Sequence, residues 1–226
     1  MEEKKLIREV IMTKIYVVRH GRTYLNKYHR LQGWSDAPLI PEGVEGAHVM
    51  GKALADYDFD LAASSDLKRA SDTRQIIVSE NKHADQIKSL QLPELREIFF
   101  GYFEAYHDTA GMKEAFKTDK YPRLIDALND GYSWRKAADT FHAADPEGDA
   151  ETGEAFESRL KASVEKLAVT GAENILLVGH ACMIHCIASM FGPDKVGKEL
   201  PKHNQLMILD VTDGKVTVEE FGREMY

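Results

Sequence analysis

Apolar positions along the chain fall into two rhythms. Short continuous runs at 14–18, 59–63 and 174–178 are bounded by polar residues, as expected of strands buried on both faces of a parallel sheet. Between them, Val44, Ala47, Val49, Met50, Ala53 and Leu54 recur at helical spacing behind Pro41-Glu42-Gly43, which predicts a helix over 43–56. Further helices are expected over 68–79 and 183–190. Near the end, 206–211 and 215–221 alternate around Asp213-Gly214, the signature of a closing β-hairpin. From Gly101 to Thr152 the pattern changes to a mostly helical stretch punctuated by Tyr102, Phe103, Tyr106, Tyr121, Tyr132, Trp134 and Phe141, with no strand signal. The expected fold is an α/β three-layer sandwich with a mostly parallel central sheet, a C-terminal hairpin and an inserted helical cap at about 102–152. The organisation expected is one domain over 12–226, preceded by an extension at 1–11 that reads as a frayed end.

The first strand run ends abruptly in Arg19-His20-Gly21-Arg22-Thr23. A buried parallel strand delivers such residues to the carboxyl edge of an open sheet, where ligands bind. There an imidazole can act as a nucleophile, and a guanidinium beside it can hold an anion. Gly21 permits a sharp turn, while Thr23 and Asn26 add a hydroxyl and an amide. The implied substrate is a phosphate.

Further segments occur in an order that resembles the histidine phosphatase superfamily, the group of cofactor-dependent phosphoglycerate mutases and many small-molecule phosphatases. They are Arg30-Leu31-Gln32-Gly33-Trp34-Ser35-Asp36, Ser64-Ser65-Asp66-Leu67-Lys68-Arg69, Leu95-Arg96-Glu97 and Val178-Gly179-His180-Ala181. The resemblance implies that His20 forms a phosphohistidine, that Arg19 and Arg69 clamp the phosphoryl oxygens, and that His180 stabilises the transition state. It makes Glu97 the general acid, with Glu104 as the rival carboxylate seven residues on. Asn26, Gln32, Gly33 and Ala181 become candidate phosphate contacts, and Thr23 either orients the loop or touches the phosphate through its hydroxyl. Arg22 has two readings, facing the substrate's far end or sitting on the rim. Trp34 and Asp36 read as scaffold.

Departures from the family pattern accompany the matches. The serine usual before the second histidine is Gly179 and the glycine after it is Ala181, which puts local geometry there in question. Gly46 and Asp72 replace glutamine-type residues at positions that look peripheral.

Composition narrows the function further. The formal charge of -8 argues against a nucleic-acid-binding surface. No apolar run reaches membrane-spanning length, and the charged start lacks a signal core, so a cytoplasmic location is expected. Cys182 and Cys186, near His180 and His185, could be imagined as a metal cluster, but two small core thiols on an apolar helix is the preferred reading. No metal is expected, because two arginines and two histidines can neutralise a transferring phosphoryl group.

The leading expectation is a phosphomonoester hydrolase acting on a small phosphorylated metabolite, with no cofactor. A phosphoglycerate mutase, using 2,3-bisphosphoglycerate, is the runner-up. It is disfavoured because mutases usually carry glutamate and serine where this chain has Arg22-Thr23. A silent phosphate-binding module would lack His20, Arg69, Glu97 or His180, and all are present. Nothing in the sequence sets an oligomeric state.

Overall fold

A computed structural model describes residues 12–226; the extension expected at 1–11 lies outside the described residues. Six strands form one sheet in the order β3-β2-β4-β1-β5-β6. They are β1 (Met12–Arg19), β2 (Leu61–Ser64), β3 (Lys88–Gln91), β4 (Asn174–Gly179), β5 (Gln205–Thr212) and β6 (Lys215–Glu224). The first four run parallel, β5 runs antiparallel to β1, and β6 returns antiparallel to β5. The turn expected at Asp213-Gly214 is a two-residue one, with both residues at positive φ (51° and 77°) as a tight hairpin requires.

Period-two alternation divides the core. Ile15, Val17, Ala63, Ile175 and Leu177 face one side, while Val18, Ala62, Leu176 and Val178 face the other. The second side is covered by α2 (Pro41–Ala53) and α3 (Lys68–Ser79), which bury Met50, Ala70 and Ile77 against it. The first is covered by α7 (Gly153–Ala168) and α8 (Ala181–Phe191), through Phe156, Leu160, Val164 and Ile184. The expected three layers are therefore present, and α3 has the bounds read from sequence. Helix α2 begins two residues earlier than expected, with Pro41 at its first turn, where a missing N–H costs nothing.

The aromatic stretch forms α4 (Asp108–Phe116), α5 (Leu124–Asn129) and α6 (Trp134–Ala144). Phe103, Phe116 and Phe141 pack edge-to-face, with ring centroids 5.5–5.7 Å apart. Helix α7, strand β3 and helix α1 were not anticipated. Strand β3 is a largely exposed edge strand without an apolar pattern. Helix α1 (Tyr24–Lys27) is a single turn capped by Thr23.

Candidate active site

Adjacent strands β1 and β4 end in register at Arg19 and Gly179, and His20 N–H donates to Gly179 O at 2.9 Å. His20 and His180 thus leave the sheet side by side, with ring centroids 5.2 Å apart. The chain can turn here because Gly21 lacks a side chain: a Cβ would lie 2.5 Å from Gly43 O. His20 Nδ1 donates to Gly21 O at 2.8 Å, which leaves the Nε2 lone pair free. Burial, then the charge of Arg69, pushes the His20 pKa well below its usual value, so the ring is a neutral base. His180 is neutral for the same two reasons. Its Nε2 lies 2.7 Å from Ser65 Oγ, while Nδ1 has no protein partner. The tautomer in which Ser65 donates to Nε2 leaves the His180 proton on Nδ1, free for a ligand. Ser65, present in the second motif but given no role from sequence, therefore orients this ring.

Six buried side-chain nitrogens among the described residues lack a partner, and four belong to Arg19, Gln32, Arg69 and His180. An unmet buried donor costs about 1–3 kcal/mol. Four of them on residues of one site suit the several acceptor oxygens of a phosphoryl group. The arginines are held by their outer nitrogens. Arg19 Nη1 donates to Pro201 O at 3.0 Å. Arg69 donates to Gly33 O at 2.7 Å, Ser35 O at 3.0 Å and Asp36 Oδ1 at 3.1 Å. Only Arg69 Nε is left over, so the two-pronged clamp expected of Arg69 is already engaged by the 32–36 loop.

A cavity of about 340 Å³ opens over this edge, lined by Arg19, His20, Arg22, Asn26, Gln32, Glu97 and Ala181 among others. Arg69 and His180 are buried and are not part of its surface lining. Two candidate contacts are corrected. Thr23 is fully buried away from the cavity; its hydroxyl caps α1 by accepting from Asn26 N–H and donates to Gln32 Oε1 at 2.7 Å. That bond turns the Gln32 amide so that Nε2 is the atom left over. Gly33 is a packing position, since a Cβ there would meet Ile98 O at 2.2 Å.

The two carboxylates separate cleanly. Glu97 lines the cavity, and its oxygens accept from Cys182 N–H and Met183 N–H, both at 2.9 Å, and from its own neighbour Ile98 N–H at 3.1 Å. Desolvation outweighs these bonds and the charge of Arg69, and raises its pKa. Glu104 instead ties together the N–H groups of Gly33 (3.2 Å), Trp34 (2.9 Å), Ser35 (3.0 Å) and Phe100 (3.1 Å). It is the knot under the loop that holds Arg69.

The loop that carries Glu97 is fastened from outside as well. Arg159 on α7 donates to the carbonyls of Glu94 (2.7 Å), Arg96 (2.7 Å) and Glu97 (2.8 Å), and is itself paired with Glu151. Trp34 Nε1 donates to Glu97 O at 2.9 Å, and its ring stacks on Phe99, as a scaffold residue would. His203 was not singled out from sequence. It lines the cavity and its Nδ1 meets His20 O at 2.6 Å, while burial, then the Arg19 charge, lowers its pKa to about 3. A solitary histidine after Pro201-Lys202 gave no pattern to find it by.

Cys182 and Cys186 are free and buried, with pKa values driven well above normal by desolvation. His185 is engaged at both nitrogens, by Trp134 Nε1 at 3.1 Å and Gly197 O at 3.2 Å. Among the described residues no group of three or more His, Cys, Asp or Glu could hold a metal ion, and no helix is long and apolar enough to cross a membrane.

Fold and site together define an α/β protein with paired histidines at the sheet's carboxyl edge, flanked by two buried or half-buried arginines. The chain belongs to branch 1 of the histidine phosphatase superfamily, whose family model matches residues 15–223. It is 30% identical over 154 residues to a 2,3-bisphosphoglycerate-dependent phosphoglycerate mutase of Methanococcus vannielii, a match covering 62% of this chain. The chain spans 63% of that relative's length. The solved phosphoglycerate mutase of Bacillus anthracis superposes with a TM-score of 0.84 at 33% identity, covering 95% of this chain and 94% of the other. The alpha-ribazole phosphatase of Shigella flexneri gives 0.71 at 25% identity, covering 93% and 96%. Mutases and phosphatases thus share this architecture.

Proposed function

We propose that the protein is a phosphomonoester hydrolase that works through a phosphohistidine. The observation that carries this reading is the neutral, tautomer-fixed His20 beside four side-chain nitrogens that have no protein acceptor. His20 Nε2 attacks phosphorus in line; the P–N bond forms as the ester P–O bond breaks. Arg19, Arg69, Gln32 and His180 Nδ1 stabilise the charge on the transferring oxygens. Glu97 enters protonated, gives its proton to the leaving alkoxide, and takes one back from the water that attacks the phosphohistidine. Inorganic phosphate and a restored His20 complete the cycle. The raised Glu97 pKa suits the first half, and a bound phosphate anion raises it further. The Ala181 N–H, at the start of α8, is a further donor at the phosphate end.

A second reading, the mutase, is favoured by the names of the archaeal relative and of the Bacillus anthracis structure. It differs only in whether water or a second substrate takes the phosphoryl group. One experiment tests both. Purified protein is assayed for phosphate release from a panel of monoesters and for conversion of 3-phosphoglycerate, with and without 2,3-bisphosphoglycerate. Acid-labile phosphate on His20 is trapped in parallel. Phosphate release with a trapped phosphohistidine, both abolished in His20→Ala (at least about 10³-fold), is the expected outcome. Isomerisation exceeding phosphate release transfers the assignment to the mutase, and full activity in His20→Ala removes the nucleophile.

A further inference from the structure

Beyond the phosphate end, the cavity wall changes character. Leu31, Phe100, Met112, Leu124, Ile125 and Leu200 line its outer half. Most of them are buried in the same apolar cluster, and Leu200 packs on its edge. Three cationic or basic side chains here have protein partners, His29 lying 3.9 Å from Asp108. Arg123 donates to Asp126 at 2.8 Å and to Glu199 at 3.0 Å, and Arg30 Nη1 donates to Ala105 O at 2.7 Å. Asp108 and Glu199 add negative charge to the lining. Arg22 remains, but it also borders the groove against α2, on the nucleophile's side of the cavity.

The wall is preassembled across its two halves. Arg123–Glu199 and the bond from Asn129 Nδ2 to Lys198 O (3.0 Å) fasten α5 to the segment that carries Leu200. A carboxylate placed there would lose water and meet the negative charges of Asp108 and Glu199. A hydrocarbon group would gain about fourfold in affinity per buried methylene. The volume of about 340 Å³ lies at the small end for ligand pockets, enough for a phosphoryl group and one ring.

We propose that this outer half is an apolar subsite, so that the substrate is the phosphate monoester of a compact aromatic or branched aliphatic alcohol with no second anionic group. The proposal rests on the phosphate reading of the inner end, but its test needs no turnover. Methylphosphonate, benzylphosphonate and phosphonoacetate are titrated into the protein by calorimetry. Benzylphosphonate is expected to bind at least about 20-fold more tightly than methylphosphonate, and phosphonoacetate no more tightly than methylphosphonate. Leu200→Lys, at a half-exposed loop position, will weaken benzylphosphonate at least about fivefold and strengthen phosphonoacetate. Leu200→Ala, which only deletes the contact, will weaken benzylphosphonate alone. Equal binding of all three ligands, phosphonoacetate binding best, or unchanged preference in both variants overturns the subsite and leaves the phosphate end standing. Binding of none of the three overturns the phosphate end and the subsite with it.

Discussion

The inner and outer ends of the cavity are built on different principles. At the inner end nearly every functional side chain is gripped by main-chain atoms: His20 by Gly21 O, Glu97 by three N–H groups, and Arg69 by the carbonyls of residues 33 and 35. Those main-chain atoms belong to the sheet edge, to the start of α8 and to loops packed on the core. The outer end is a wall of side chains on short helices and a loop, fastened by exposed ion pairs such as Arg123–Glu199. Exposed pairs of this kind contribute little, typically under about 1 kcal/mol. Inner residues therefore cannot change without disturbing the backbone, whereas the outer wall can be re-lined one side chain at a time. Under the function proposed above, chemistry is fixed by the fold and selectivity is laid over it.

The largest break in this contrast is expected at the inner end. Glu97→Gln will slow hydrolysis of benzyl phosphate by about 10²–10⁴-fold and barely affect 4-nitrophenyl phosphate, whose leaving group departs without a proton. Its counterpart Glu104→Gln will preserve the ratio of the two substrates but lower stability by about 1–3 kcal/mol in denaturant melts, because the Gly33–Ser35 loop loses acceptors. If Glu104→Gln instead altered the leaving-group dependence, the acid role would belong to Glu104.

Arg159→Met comes next. It unfastens three carbonyls of the acid loop and leaves Glu151 alone, for about 3 kcal/mol of stability. The kcat for benzyl phosphate will fall about tenfold, with KM little changed, since Glu97 drifts while the phosphate donors stay. A change in KM alone would mean that α7 does not position the acid.

The smallest effect concerns pH. Burial lowers the pKa of His20, His180, His185 and His203. A depressed histidine is neutral in both states above about pH 6.5; below it the unfolded chain gains protons that the folded one refuses, and stability falls. Glu97, with its raised pKa, acts in the opposite sense: its contribution is complete below about pH 4.3 and declines as pH rises through its folded value. Four histidines outweigh one carboxyl between pH 7 and 5, so Tm will drop by several degrees over that range. His203→Asn will make the slope shallower, and a Tm that is flat or rising toward pH 5 would contradict the neutral-histidine cluster.

The sheet's central elements were legible because they obey simple rules. Runs such as Ile15–Val18 and Ile175–Val178 are buried on both faces, and Asp213-Gly214 permits only a tight turn. Strand β3 was missed because an exposed edge strand needs no apolar pattern. Within the site, motif order located His20, Arg69, Glu97 and His180, but motif order carries no information about direction. Thr23 and Gly33 keep the right neighbours in sequence while one caps a helix and the other fills a space too narrow for a Cβ. Glu97 and Glu104 are alike in sequence, and only their partners, drawn from about 70–85 residues away, tell them apart. Leu200 and His203 come to the cavity from just before β5, and nothing local marks them.

The position of β1 has a consequence for how the molecule is made. It lies between β4 and β5, pairing Ile15 with Ile175 on one side and with Leu209 on the other. A ribosome adds about 5–20 residues per second, so this strand waits roughly ten seconds or more for either neighbour. During that interval its apolar residues and unmatched amides are available to wrong partners. The same long separation predicts slow folding, since the loop must close before any of the pairing is gained. His20 therefore gains its neighbours only when the chain is almost finished, and an interrupted product carries His20 without His180 and His203 beside it.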